Sequence, residues 1–106
     1  MKEKLVKRKI ITYGDEFLAE MELSYYLTEN ETKKPHEKRF GVRIIKETIE
    51  NGARISEDNS GNNIFSYYEE ARAFLDMLIK YEVTPIAFES IISDCFSDFI
   101  TPKSIA

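Results

Sequence analysis

Cys95, His36 and three pairs of carboxylates are the side chains in this 106-residue sequence whose chemistry could reach beyond structure. A cysteine attacks only as its thiolate, which needs a base or a neighbouring positive charge. Cys95 is flanked by Asp94 and Phe96 and falls on an apolar series with Ile91, Ile92 and Phe99. An adjacent acid disfavours the thiolate, so Cys95 is predicted to be a small hydrophobe of the core. His36 stands beside Glu37 in a charged, proline-containing segment, where a general base would lack the fixed position it needs. One cysteine and one histidine also exclude a Cys/His zinc site within a single chain and an internal disulfide.

The carboxylate pairs are Glu20/Glu22, Glu69/Glu70 and Asp94/Asp98. Hard cations take oxygen ligands, but two carboxylates make a poor site, and none of these pairs has EF-hand spacing. Asp58-Asn59-Ser60-Gly61-Asn62 sets oxygens around a glycine yet lacks the acidic ligand at the twelfth position. Glycines occur only at Gly14, Gly41, Gly52 and Gly61, so no phosphate-cradling loop exists, and there is no Gly-x-Ser-x-Gly elbow. The expectation is a chain that is not an enzyme, with no catalytic residue, cofactor or metal.

The elements that would position these groups follow from periodicity. From Glu16 to Thr28, Phe17, Ala19, Met21, Leu23, Tyr25 and Leu27 alternate with mostly polar neighbours, which predicts a strand with one buried face. Leu5 to Tyr13 is predicted as a further strand or a loose basic tail, with Gly14-Asp15 as a turn. Residues 29–39 hold seven charges and a proline, and predict a loop. Phe40 to Glu50 is apolar in both phases, as a central strand would be. Asn51-Gly52 is a strong hairpin signal, after which Ala53 to Glu57 predicts a short third strand with Ala53 and Ile55 on its apolar side. Asp58 to Asn63 then reads as a polar loop.

The period next becomes helical. Ser66-Tyr67-Tyr68-Glu69 fits a capping box, and Ala71, Phe74, Leu75, Leu78 and Ile79 form one stripe, predicting a helix over Tyr67 to Tyr81. Thr84-Pro85 supplies an N-cap and first helical residue for a second helix, with Phe88, Ile91, Ile92, Cys95, Phe96 and Phe99 at helical spacing and an end near Thr101-Pro102. Strands followed by helices predict one α+β domain over residues 1–106, an antiparallel meander of three or four strands with two C-terminal helices packed on one face. The turn Tyr81-Glu82-Val83-Thr84-Pro85-Ile86, followed by Ile91-Ile92-Ser93-Asp94 and Phe96, resembles a small uncharacterised family of anaerobic Gram-positive bacteria. That resemblance covers about the last two-thirds of the chain and implies a bacterial cytosolic domain, without site residues.

Charge is laid out in blocks: residues 1–12 carry +4, 13–31 carry −6, 32–46 carry +5 and 47–106 carry −7. Such blocks suit strands that pair across a sheet, or subunits that attract one another. The basic start has no apolar stretch of signal-peptide length behind it, and no run of 18 or more apolar residues occurs, so a cytoplasmic protein is expected.

Two surfaces could carry function. The sheet face opposite the helices is predicted to show Leu18, Tyr26, Ile45 and Ile49 among Glu20, Glu22, Arg43 and Glu47. Apolar side chains rimmed by charge mark protein interfaces, which makes Leu18, Tyr26, Arg43, Ile45 and Ile49 the candidate contacts, with self-association about a two-fold axis a natural case. The alternative is accessory nucleic-acid binding through segments 2–9 and 33–43, with Lys2, Lys4, Lys7, Arg8, Lys9, Lys33, Lys34, Lys38, Arg39 and Arg43 converging near exposed aromatic rings. Against it, Tyr25 and Phe40 fall in the inward phase of their strands. A non-catalytic protein-interaction or regulatory module is the favoured expectation.

Overall fold

In the computed structural model, which describes residues 2–13, 19–31, 37–50 and 52–95, the alternating segments become four strands. They are β1 (Lys2–Tyr13), β2 (Ala19–Glu29), β3 (Phe40–Glu50) and β4 (Ala53–Phe65), followed by helices α1 (Tyr68–Lys80) and α2 (Pro85–Cys95). The strands form one antiparallel meander in the order β1-β2-β3-β4. Both helices lie on one face, chiefly against β2, β3 and β4. This is the α+β arrangement that strands-then-helices predicts.

Register follows hydrophobicity. Met21, Leu23, Tyr25 and Leu27 of β2 all turn to the helices, as do Val42 and Ile44 of β3. Ala71, Leu75 and Leu78 of α1 and Phe88 and Ile92 of α2 close the core over them. Removing such side chains from water at roughly 25 cal/mol per Å² is the main stabilising term. Hydrogen bonds then fix the helix pair to the sheet. The buried Tyr25 hydroxyl donates to the Val83 carbonyl at 3.0 Å, and Lys9 Nζ donates to the Ile79 carbonyl at 2.9 Å. A lysine at the carbonyl end of α1 also meets the negative end of the helix dipole.

Several expectations need correction. The third strand does not stop at Glu57: residues 58–63 continue β4 as far as Phe65. Their lack of apolar alternation reflects an edge strand whose side chains find polar partners. Asn59 Nδ2 donates to the Pro85 carbonyl at 3.3 Å, and Thr28 Oγ1 donates to Asn62 Oδ1 at 3.3 Å. Ala53 and Ile55 do not make an apolar side either, because both are exposed at the hairpin end of the sheet. The N-cap of α1 is Tyr67, which makes no side-chain cap bond, so the helix starts at Tyr68, one residue later than expected. By contrast, Thr84 Oγ1 accepts from the Ala87 amide at 3.3 Å, the N-cap bond expected of it.

The basic N-terminal segment forms a full strand along the sheet edge, paired from Lys2↔Glu29 to Tyr13↔Ala19. Gly52 has φ +79°, the positive value that a two-residue hairpin turn requires, and joins strands paired at Glu50↔Ala53. Gly41 is needed for a different reason. A Cβ there would lie 2.1 Å from the Gly61 carbonyl oxygen, so only glycine lets β4 cross this closely at its irregularity. The Gly14-Asp15 turn, the start of the first predicted strand at Glu16 to Leu18, and the predicted tail of the second helix beyond Cys95 lie outside the described residues.

Candidate interaction surface

Because side chains alternate across a strand, the residues between the core positions define the second face of the sheet. Cross-strand partners share a face, which orders it into rows. Leu5, Tyr26, Arg43 and Ser60 form one row; Arg8, Ser24, Ile45 and Asp58 form the next. Ile10, Glu22, Glu47 and Ser56 follow, and then Thr12, Glu20, Ile49 and Arg54. No described element covers these rows.

Of the sequence-predicted contacts, Tyr26, Arg43, Ile45 and Ile49 therefore share this open face, together with Glu20, Glu22 and Glu47. Leu18 lies outside the described residues. Two apolar members were missed. Leu5 and Ile10 reach the open face because β1 changes register between Leu5 and Lys7. Only the structure reveals that bulge, since Val6 and Lys7 carry no turn signal. Ile10 is 63% exposed, and Ile49 and Leu5 are 43% and 41% exposed, high values for large aliphatic side chains in a sheet. Ile10 and Ile49, with Glu20, Glu22, Glu47 and Arg54, line a hollow of about 90 Å³.

Charge on this face is largely satisfied within it. Arg43 is the centre: its Nη1 donates to Glu3 Oε1 at 2.9 Å and its Nε to Asp58 Oδ1 at 2.9 Å. A further bond joins its Nη2 to Asp58. One guanidinium thus reaches over β2 to β1 while also holding β4. The hydrogen bond from Arg43 holds the Asp58 carboxyl below its ordinary value, opposed in part by desolvation. Arg8 lies 3.3 Å from Glu22 and Arg54 lies 3.0 Å from Glu47. Exposed pairs of this kind contribute at most about 1 kcal/mol each, so they fix register and pattern more than stability.

The basic residues proposed for nucleic acid are distributed differently. Arg8, Lys9, Arg39 and Arg43 all sit against acids, namely Glu22, Glu82, Glu29, and Glu3 with Asp58. Lys33 and Lys34 are outside the described residues. Tyr25 and Phe40 are buried, with Arg39 stacked 4.9 Å over the Phe40 ring. Neither ring is free as a stacking platform.

As for chemistry, Glu20 and Glu22 lie on the open face, Glu69 and Glu70 are exposed in the first turn of α1, and Asp94 is exposed near the end of α2. No group of three or more potential metal ligands forms among the described residues. The side chain of Cys95 lies outside the described residues, as do His36 and Asp98. No described helix is long and apolar enough to cross a membrane.

Fold and surface together define an α+β domain with a helix-covered face and an open, charge-patterned one. A family model described as a family of unknown function (DUF6514) matches residues 2–98, and the chain belongs to that family. No curated protein and no solved structure matches it. The family carries an unknown function across nearly the whole chain, beyond the last two-thirds on which the resemblance rested.

Proposed function

We propose that the chain is a non-catalytic protein-interaction or regulatory module of the bacterial cytoplasm, and that it binds through the open face of its sheet. The observation that carries this reading is the exposure of Leu5, Ile10 and Ile49 on a face that no described element covers. The surrounding ions are already paired with one another, so a partner could cover the apolar groups without stranding many charges. Self-association about a two-fold axis is the simplest form, because the face carries both signs of charge and can complement a copy of itself. Nucleic-acid binding has weaker support, since four of its proposed cations are occupied by acids.

The test is light scattering across a concentration series, with affinity capture alongside. The wild type should form a dimer or retain a protein partner, and Ile45→Asp should lose both while keeping its circular dichroism spectrum. A strictly monomeric wild type that captures the same proteins as the variant would overturn the reading.

A further inference from the structure

The outer edge of β1 carries a charge pattern that the open face does not explain. Among the described residues β1 pairs only with β2, so by antiparallel geometry about half of its backbone N–H and C=O groups point away from that strand. The helices pack chiefly on β2 to β4; Val6 and Ile11 of β1 lie partly buried against the core and Lys9 bonds the end of α1, while Lys2, Lys4 and Lys7 stay exposed.

The register change between Leu5 and Lys7 sorts its side chains. Lys4 and Lys7 pair with Leu27 and Tyr25 and so share the helix side, as does Lys2 opposite Glu29. Leu5 and Ile10 pair with Tyr26 and Glu22 on the open side. A strand added on the outer edge would pair with β1 itself, whose bulge between Leu5 and Lys7 leaves Lys4 and Lys7 on one side and Leu5 and Ile10 on the other. Lys9 is engaged by Ile79 and Glu82, whereas Lys2, Lys4 and Lys7 are exposed and have no acid partner among the described residues.

We propose that the β1 edge is a strand-addition site for an extended acidic segment of another protein, with acids alternating with apolar residues. Backbone hydrogen bonds would supply affinity, and the alternating side chains would supply selection. Acids on one side of the added strand meet Lys4 and Lys7; apolar residues on the other side meet Leu5 and Ile10. The same lysines reject β1 of a second copy, since two lysine-rich edges repel. Three unpaired cations are few for a nucleic-acid backbone, and the aliphatic side chains between them match a peptide better than a base stack.

The probe is a fluorescein-labelled peptide of alternating Glu and Val, with three controls: a Lys/Val peptide, the Glu/Val peptide N-methylated at alternate amides, and a mixed RNA oligonucleotide. The Glu/Val peptide should bind by anisotropy and slow hydrogen exchange across Lys4 to Ile10. Reversing both charges, Lys4→Glu with Lys7→Glu, should weaken binding by about tenfold or more, and alternate N-methylation should do the same. The Ile45→Asp variant should bind the peptide as the wild type does, because Ile45 lies on β3, two strands in from the β1 edge, and the two surfaces share only Leu5 and Ile10. Unchanged binding after charge reversal or N-methylation would overturn the proposal. So would loss of binding in Ile45→Asp, protection at the β4 edge instead of β1, or binding of RNA but not peptide.

Discussion

The two faces of the sheet are built from the same strands by opposite means. On the helix side, Leu23, Tyr25, Val42 and Ile44 are fully buried beneath Leu75, Leu78 and Phe88, and volume decides what fits. On the open side, one arginine links strands at both edges of the sheet, two further ion pairs flank it, and aliphatic side chains stand half in water. A packed core tolerates little change in shape, whereas exposed charge pairs are individually weak. The first face therefore holds the fold, and the second is free to vary in what it contacts.

Breaking the packed face should have the largest effect. Leu75→Ala leaves a cavity beneath α1 and is expected to lower stability by about 2–5 kcal/mol, as a fall in urea midpoint at unchanged slope. A loss below about 1 kcal/mol would mean that α1 is not packed as described. Tyr25→Phe comes next, because it keeps the ring and removes only the donor to Val83. It should cost about 1–3 kcal/mol, the penalty of stranding a buried carbonyl. Burial, with the nearby Glu82 charge second, pushes the Tyr25 phenol up to about 12 from an ordinary 10.0. A raised folded value gives stability that is whole below the unfolded value, so it should be lost between about pH 10 and pH 12. Tyr25→Phe should flatten that alkaline decline. If the variant declines as steeply as the wild type, the phenol is not the group responsible.

How much of this was legible in the sequence differs between the faces. Core residues of β2 and α1 repeat at periods of 2 and 3.6, and the alternation of Met21 to Leu27 places them without error. Phe40–Glu50 was readable to its ends, because Asn51-Gly52 fixed one of them. Residues 58–63 were misread because an edge strand need not alternate: pairing with β3 and polar contacts hold Asn59 and Asn62 extended. The charge blocks foretold cross-strand pairing in kind. Arg8 of the first block meets Glu22 of the second, Arg39 of the third meets Glu29, and Lys46 meets Glu57 of the fourth. They could not foretell that Arg43 would reach past β2 to Glu3, which depends on strand order and side-chain length. Leu5 and Ile10 were hidden for a related reason, since one bulge reverses the phase of everything before it.

The open face offers the sharpest test of the comparison, with the smallest effect. Arg43→Met keeps the aliphatic stem but leaves Glu3 and Asp58 without their shared cation. Both acids are partly exposed, so screening limits the loss at neutral pH to about 1 kcal/mol or less. Its pH dependence identifies the source. The Arg43 hydrogen bond lowers the Asp58 carboxyl in the folded chain from its ordinary 3.8. A lowered folded value gives stability that is present above the unfolded value and is lost as pH falls through the folded one. Urea titrations of wild type and Arg43→Met should therefore differ near pH 7 and converge below about pH 4. High salt at neutral pH should narrow the gap in the same direction, because it screens the same charges. A deficit as large as that of Leu75→Ala, unchanged by acid and by salt, would show that the open face is held by packing after all.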